Sequence, residues 1–184
     1  FNTEYKINCD LKVIPCEGWS RDMMFDATNL TWINPSPNMR NLTEAILYPC
    51  VGLLEATNIS VGRGTDQPFE QLGAPWIDGP KLAEALNNAK LPGLRFVPIE
   101  FTPASSVHKA KKCQGVYIMV TDRDTLEPVM SGLSIAWQLK QLFGAKFEID
   151  KVVRLLQNPA ALDAVKSTDD PAKLPLVWRD ELSA

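Results

Sequence analysis

The sequence predicts an α+β fold (mixed α/β), with a small sheet of about four strands packed against helices and closed by a helical C-terminal tail. Three observations carry this. Two segments combine a capping residue with apolar positions at helical spacing, and a third, 128–143, is long and mostly apolar. Between them lie short apolar runs bounded by Pro, Gly and Asn, as strands are. Beyond residue 150 only short helical stretches remain, cut at Asn158-Pro159, Asp170-Pro171 and Leu174-Pro175. A chain of 184 residues buries roughly 70 % of the surface that its unfolded form exposes. A single domain over 1–184 is therefore expected, with a core that needs no metal or disulfide staple.

In chain order, residues 11–14 (Leu-Lys-Val-Ile), stopped by Pro15, read as a first strand. The stretch 29–41, with Pro35, Pro37 and several Asn, reads as a loop. Asn41 then caps a helix over 42–47, with Glu44 placed to reach back to the capping amide, and Pro49 is expected to end it. Residues 51–57 are apolar on both faces except for Glu55 and read as a buried strand. A polar loop, 58–65, follows, with a helix start expected near Pro68.

Asp78 is expected to cap a helix over 80–89, where Leu82, Ala85, Leu86 and Ala89 share a face. Pro92-Gly93 ends it. Residues 95–101 alternate, and Pro98 confines them to a sheet edge. Residues 116–120 read as a fully buried strand. The helix 128–143 carries only a narrow polar stripe, Ser131, Ser134, Gln138 and Gln141, and is expected to be largely enclosed.

Composition excludes several function classes. A net charge of −3 gives no bulk attraction to phosphate backbones, so no nucleic-acid partner is expected. The longest apolar run, 45–54, contains Pro49 and Gly52 and is far short of the roughly 20 residues that cross a bilayer. No membrane span is expected. Cys9, Cys16, Cys50 and Cys113 contain no C-x-x-C pair, and His108 is the sole histidine, so no metal and no cofactor site is expected. The four thiols are expected to be free and semi-buried. The start at Phe1-Asn2-Thr3, without Met or leader, and the uncapped end at Arg179-Asp180-Glu181 read as the limits of an excised piece.

The chemistry-bearing stretch is 53–70. Gly62-Arg63-Gly64 lacks the third glycine of a dinucleotide fingerprint, since Gln67 stands there, and no Gly-Lys-Ser/Thr follows, which disfavours a nucleotide binder. Flanking glycines can instead present the five donors of Arg63 to a carboxylate or to sugar oxygens, with Asn58, Ser60, Gly64 and Thr65 on the same loop. The competing reading is a plain turn in which Arg63 pairs with Asp66 or Glu70. Glu55, a carboxylate in an apolar run, is a candidate acid or a partner of Arg63. Glycoside hydrolysis needs two carboxylates, but Glu100 falls on the wrong face of its strand to be the second. Trp76 is the aromatic placed to stack on a sugar; packing in the core is the alternative.

Five motifs in order, Ile14-Pro15-Cys16-Glu17-Gly18-Trp19, Pro35-Ser36-Pro37-Asn38-Met39, the run from Leu54 through Gly62-Arg63-Gly64-Thr65, Gly73-Ala74-Pro75-Trp76-Ile77 and Phe101-Thr102-Pro103, resemble the carboxy-terminal half of the bacterial exo-β-N-acetylmuramidase (NamZ) family. The resemblance implies part of a two-part peptidoglycan glycoside hydrolase that releases N-acetylmuramic acid from non-reducing ends. It implies a Rossmann-like N-terminal part whose Pro-Glu-His-Gly motif bears the catalytic glutamate, with the cleft between the parts. No Pro-Glu-His-Gly occurs here, so no catalytic residue is assigned to this chain. The resemblance implies instead a wall of the cleft, with Glu55, Asn58, Arg63, Gly64, Thr65 and Trp76 as substrate-binding residues and Arg63 holding the lactyl carboxylate. Its partners would be peptidoglycan fragments and the missing N-terminal part, and its location the periplasm or the cell exterior. The rival from another class is a non-catalytic carbohydrate-binding or protein-interaction module.

Overall fold

The structure is a computed structural model and describes residues 1–178. The chain packs as two compact units, Phe1–Thr31 and Trp32–Ala184, where the sequence reads as one domain. In the first unit the expected strand at 11–14 is absent: Leu11, Val13 and Ile14 are exposed, and the only regular element is a 3-10 turn, Phe25–Thr28. A stretch of four residues, three of them apolar, forms a strand only with a ladder partner, and this short unit supplies none.

Among the described residues the second unit holds every α-helix and strand. Helix α1 spans Leu42–Val51 and is capped as expected, the Asn41 side chain accepting the Glu44 N–H at 2.8 Å. The Glu44 carboxylate accepts the N–H of Arg40, one residue earlier than a capping box requires. Pro49 does not end this helix, which runs through it to Val51 and tightens into a 3-10 turn, Gly52–Leu54. The proline removes only the bond to the Ala45 carbonyl. The strand expected at 51–57 is thus helix and turn. An apolar run of that length suits a buried helix end as well as a buried strand, and burial of Leu47, Cys50, Val51 and Leu54 decides for the helix.

Among the described residues the sheet has three strands where about four are expected: β1 (Gln71–Ala74), β2 (Leu94–Phe101) and β3 (Cys113–Val120), antiparallel in the order β1-β3-β2. Strand β1 replaces the helix expected from Pro68. Helix α2 (Gly79–Asn88) begins at the Asp78 cap, whose carboxylate accepts the Lys81 N–H at 3.0 Å. Strand β2 lies at the edge, as Pro98 requires. Strand β3 is central, but it is not buried throughout as expected, since Tyr117 is half-buried and Met119 exposed. Helix α3 occupies Pro128–Phe143 as expected, with Ser131 and Ser134 buried. Short helices α4 (Val153–Leu156) and α5 (Pro159–Ser167) and a 3-10 segment, Pro171–Val177, form the tail. The proline seams at 159 and 171 start elements; Pro175 lies inside one. The uncapped end at 179–184 lies outside the described residues.

Among the described residues no helix is long and apolar enough to cross a membrane. All four cysteines are free, Cys50 and Cys113 buried, Cys9 and Cys16 exposed. Burial pushes the Cys50 thiol up to about 12 and raises Cys113. A disulfide-exchange reagent should therefore label Cys9 and Cys16 rapidly in the native protein, and Cys50 and Cys113 only after denaturation. Rapid release by Cys50 would contradict the packing.

Candidate functional site

The polar loop is built by two glycines and a set of inward bonds. Gly62 and Gly64 sit at φ of 79° and 84°, a region that side chains rarely enter. A Cβ on Gly64 would fall 2.6 Å from the backbone N and O of Ser105, so this glycine is also where the loop meets the 104–112 segment. The Ala104 N–H donates to the Gly64 carbonyl at 2.8 Å. Arg63, held between these turns, forms an ion pair with Glu55 at the end of the 3-10 turn. The pairing with Asp66 or Glu70 does not occur. Asp66 faces Arg40 at 3.8 Å, and Glu70 accepts from Asn41 and Tyr117.

Glu55 and Arg63 line a cavity of about 240 Å³ with Pro35, Ser36, Asn38, Met39, Tyr48 and Phe69. Two motifs separate in the sequence, Pro35–Met39 and the glycine loop, thus meet around one ion pair. Arg40 and Asn41 tie them together: the Arg40 guanidinium donates to the Thr65 carbonyl at 2.8 Å, and the Asn41 amide donates to Glu70 at 3.0 Å. The Arg63 side chain stays 41 % exposed and that of Glu55 23 %. The pair is therefore wet enough to exchange a partner, and Arg63 keeps guanidinium donors beyond the one given to Glu55.

The other expected site residues have structural work. The Asn58 side chain donates to the Lys146 carbonyl at 2.8 Å and accepts the Glu148 N–H at 3.1 Å, while the Asn58 backbone carbonyl meets Nε2 of His108 at 2.9 Å. The Thr65 hydroxyl donates to the Gly62 carbonyl at 2.7 Å and lies 2.7 Å from the Gln71 amide. Trp76 packs edge-to-face on Phe143 with centroids 5.5 Å apart, the core alternative, and does not line the cavity. Glu100 is paired with Lys112 at 2.8 Å on the sheet edge, away from Glu55. A larger cavity of about 530 Å³ lies between α3 and the tail, walled by Met130, Trp137 and prolines; it contains none of the motif residues.

Composition and spacing did not single out Arg40, Tyr48, Phe69 or Tyr117, and offered Glu70 only as a partner of Arg63. Tyr117 donates to Glu70 at 2.7 Å, and that hydrogen bond, with burial behind it, pushes its phenol up to about 12. A phenol raised in the folded state contributes stability that is present below its usual value near 10 and is lost as pH rises through about 12. Tyr117→Phe should flatten that alkaline slope in a pH series of melting curves. At neutral pH it should cost about 1–2 kcal/mol, because Glu70 loses a donor.

No group of three or more His, Cys, Asp or Glu among the described residues is arranged to hold a metal ion. The arrangement can do one thing well. It offers an arginine, already balanced by a carboxylate, to an anionic or hydroxyl-rich ligand in a small half-open cavity.

Comparison with known proteins places this cavity at a boundary. The sequence model described as "Exo-beta-N-acetylmuramidase NamZ, C-terminal" matches residues 46–184, and its N-terminal counterpart matches residues 1–43. Pro35–Met39 thus comes from one part and Glu55 and Arg63 from the other. The peptidoglycan beta-N-acetylmuramidase NamZ of Bacillus subtilis is 46 % identical over 148 residues, which cover 80 % of this chain and 36 % of the relative. Two crystal structures of DUF1343 family proteins from Bacteroides fragilis share the fold. One has a TM-score of 0.66 at 27 % identity, over 90 % of this chain and 41 % of that one. The other has a TM-score of 0.69 at 22 % identity, over 95 % and 46 %. The chain spans less than half the length of each of these three relatives.

Proposed function

Because this chain belongs to the NamZ exo-β-N-acetylmuramidase family, we propose that its residues 46–184 are the C-terminal part of a peptidoglycan glycoside hydrolase and supply, with Pro35–Met39 from the segment matching the N-terminal part, one wall of its sugar cleft. The reaction is release of N-acetylmuramic acid from the non-reducing ends of peptidoglycan fragments. The observation that supports this is the Arg63–Glu55 pair in a cavity whose lining is drawn from the segments matching both parts of the family. N-acetylmuramic acid differs from its neighbour in the glycan by a lactyl carboxylate, which is the group that a half-exposed arginine recognises by charge-assisted hydrogen bonds. Asn58, Gly64 and Thr65 serve the site by holding the loop, through the bonds described above.

The division of labour follows from the residues. Glycoside hydrolysis needs a carboxyl group on each side of the scissile bond, and Glu55 is engaged by Arg63. The acid that protonates the leaving group therefore comes from the Rossmann-like part, outside these residues. Such a substrate implies action in the periplasm or at the cell exterior. The test is turnover of a chromogenic muramic acid glycoside by the full-length protein and by residues 1–184. Turnover by the full-length protein alone is expected. Comparable turnover by the piece would refute the division, and tight muramyl binding by the piece without turnover in either form would favour a carbohydrate-binding module.

A further inference from the structure

We infer that Tyr48 is the aromatic platform of the sugar site, stacking on the pyranose ring whose carboxylate Arg63 holds; this rests on the muramidase reading above. Tyr48 lines the same small cavity as Glu55 and Arg63 and keeps 44 % of its surface exposed. Its exposure is not looseness. The ring lies against the Gly52 backbone, where a Cβ would come within 3.2 Å of it, and so depends on that glycine for its place. On another side it meets Phe69 edge-to-face, with centroids 4.9 Å apart and planes at 82°.

Two local conformations that the chain would not choose freely hold this pair. Phe69 has φ of 61°, which is uncommon for any side chain and an outlier for a bulky one, and it is pinned there by its N–H donating to the Val61 carbonyl at 2.8 Å. Tyr48 precedes a proline and is nonetheless helical, against the usual steric preference. Both departures lead to the same result, a fixed aromatic ring beside the ion pair. The less polar face of a pyranose presents C–H groups that match the negative face of an aromatic ring. In this cavity a single sugar can meet the ring of Tyr48 and the guanidinium of Arg63 together. Trp76, the aromatic that the sequence offered for this task, is committed to Phe143.

The experiment uses the full-length enzyme and a chromogenic muramic acid glycoside. Tyr48→Leu, which keeps bulk and loses the π-face, should raise KM about three- to ten-fold with little change in kcat, whereas Tyr48→Phe and Tyr48→Trp stay near wild type. An unchanged KM in Tyr48→Leu overturns the platform, as does equal damage in Tyr48→Phe, which would make the hydroxyl responsible. A loss confined to kcat overturns it too. If Tyr48→Leu melts early, Tyr48→Trp decides, since a platform tolerates the larger ring and a purely packed tyrosine does not. Arg63→Ala is measured beside them: its loss of activity with Tyr48→Leu unaffected sinks the platform alone, and a wild-type enzyme without turnover sinks both readings.

Discussion

Arg63→Ala in the full-length protein should lower kcat/KM for a muramic acid glycoside by about 10- to 100-fold, the range set by losing charge-assisted hydrogen bonds worth about 1.5–3 kcal/mol. The loss should fall mainly on KM if the arginine holds the carboxylate equally in ground and transition states. A glycoside of N-acetylglucosamine, which has no lactyl group, should be affected far less, so the variant should also erase the discrimination between the two sugars. Arg63→Lys should recover only part, because a lysine supplies charge without the planar fork. Removing the guanidinium also leaves Glu55 without its ion-pair partner, so a melting curve is needed beside the kinetics. Unchanged kcat/KM and unchanged selectivity would reduce Arg63 to a structural partner of Glu55.

Gly64→Ala is expected to be the most damaging small substitution near the site. The residue sits at φ of 84°, and the new methyl would lie 2.6 Å from two backbone atoms of Ser105, which cannot turn aside as a flexible side chain would. Strain of that kind costs about 1–3 kcal/mol before any clash is counted. A total near 3 kcal/mol corresponds to a fall in Tm of roughly 6–12 °C for a chain of this size. Gly64→Asn separates the two causes: asparagine tolerates left-handed backbone but also carries a Cβ. Close contact with Ser105 predicts that both variants fall alike. Recovery by asparagine would show that conformation alone matters.

Much of the fold was legible where a signal came with its own boundary. Asp78 and Asn41 cap helices because their short side chains accept N–H groups that no helix can satisfy itself. Residues 128–143 emerged at their exact limits, since a proline suits a first turn and Gly144 follows the last. The failures lie where pattern was ambiguous. Pro49 looked like a stop, but the burial of α1 against the core outweighs the missing bond. The 51–57 run had no alternation, so only tertiary packing could decide its class. Strand β1 is four residues long with every one buried, too short for a periodic signature.

At the site, the Arg63–Glu55 pair was one of two readings that composition left open. Its company was not legible, because Tyr48 and Phe69 are separated by 21 positions and meet only through the turn at Gly52 and an unusual backbone at Phe69. Trp76 stays open between a sugar platform and core packing in the sequence, because aromatic content near a polar loop says nothing about which way a ring points; its ring meets Phe143.

The place of Pro98 on β2 bears on how the protein keeps to itself. An edge strand is a row of unpaired N–H and C=O groups that another copy of the chain can zip onto. Here a proline withdraws one donor and fixes its φ, exposed Arg95 lies three residues before it, and Glu100 joins Lys112 two residues after. The Asn87 side chain occupies the N–H and C=O of Phe96 on the same edge, so that edge is blunted by side-chain chemistry where, among the described residues, no further strand covers it.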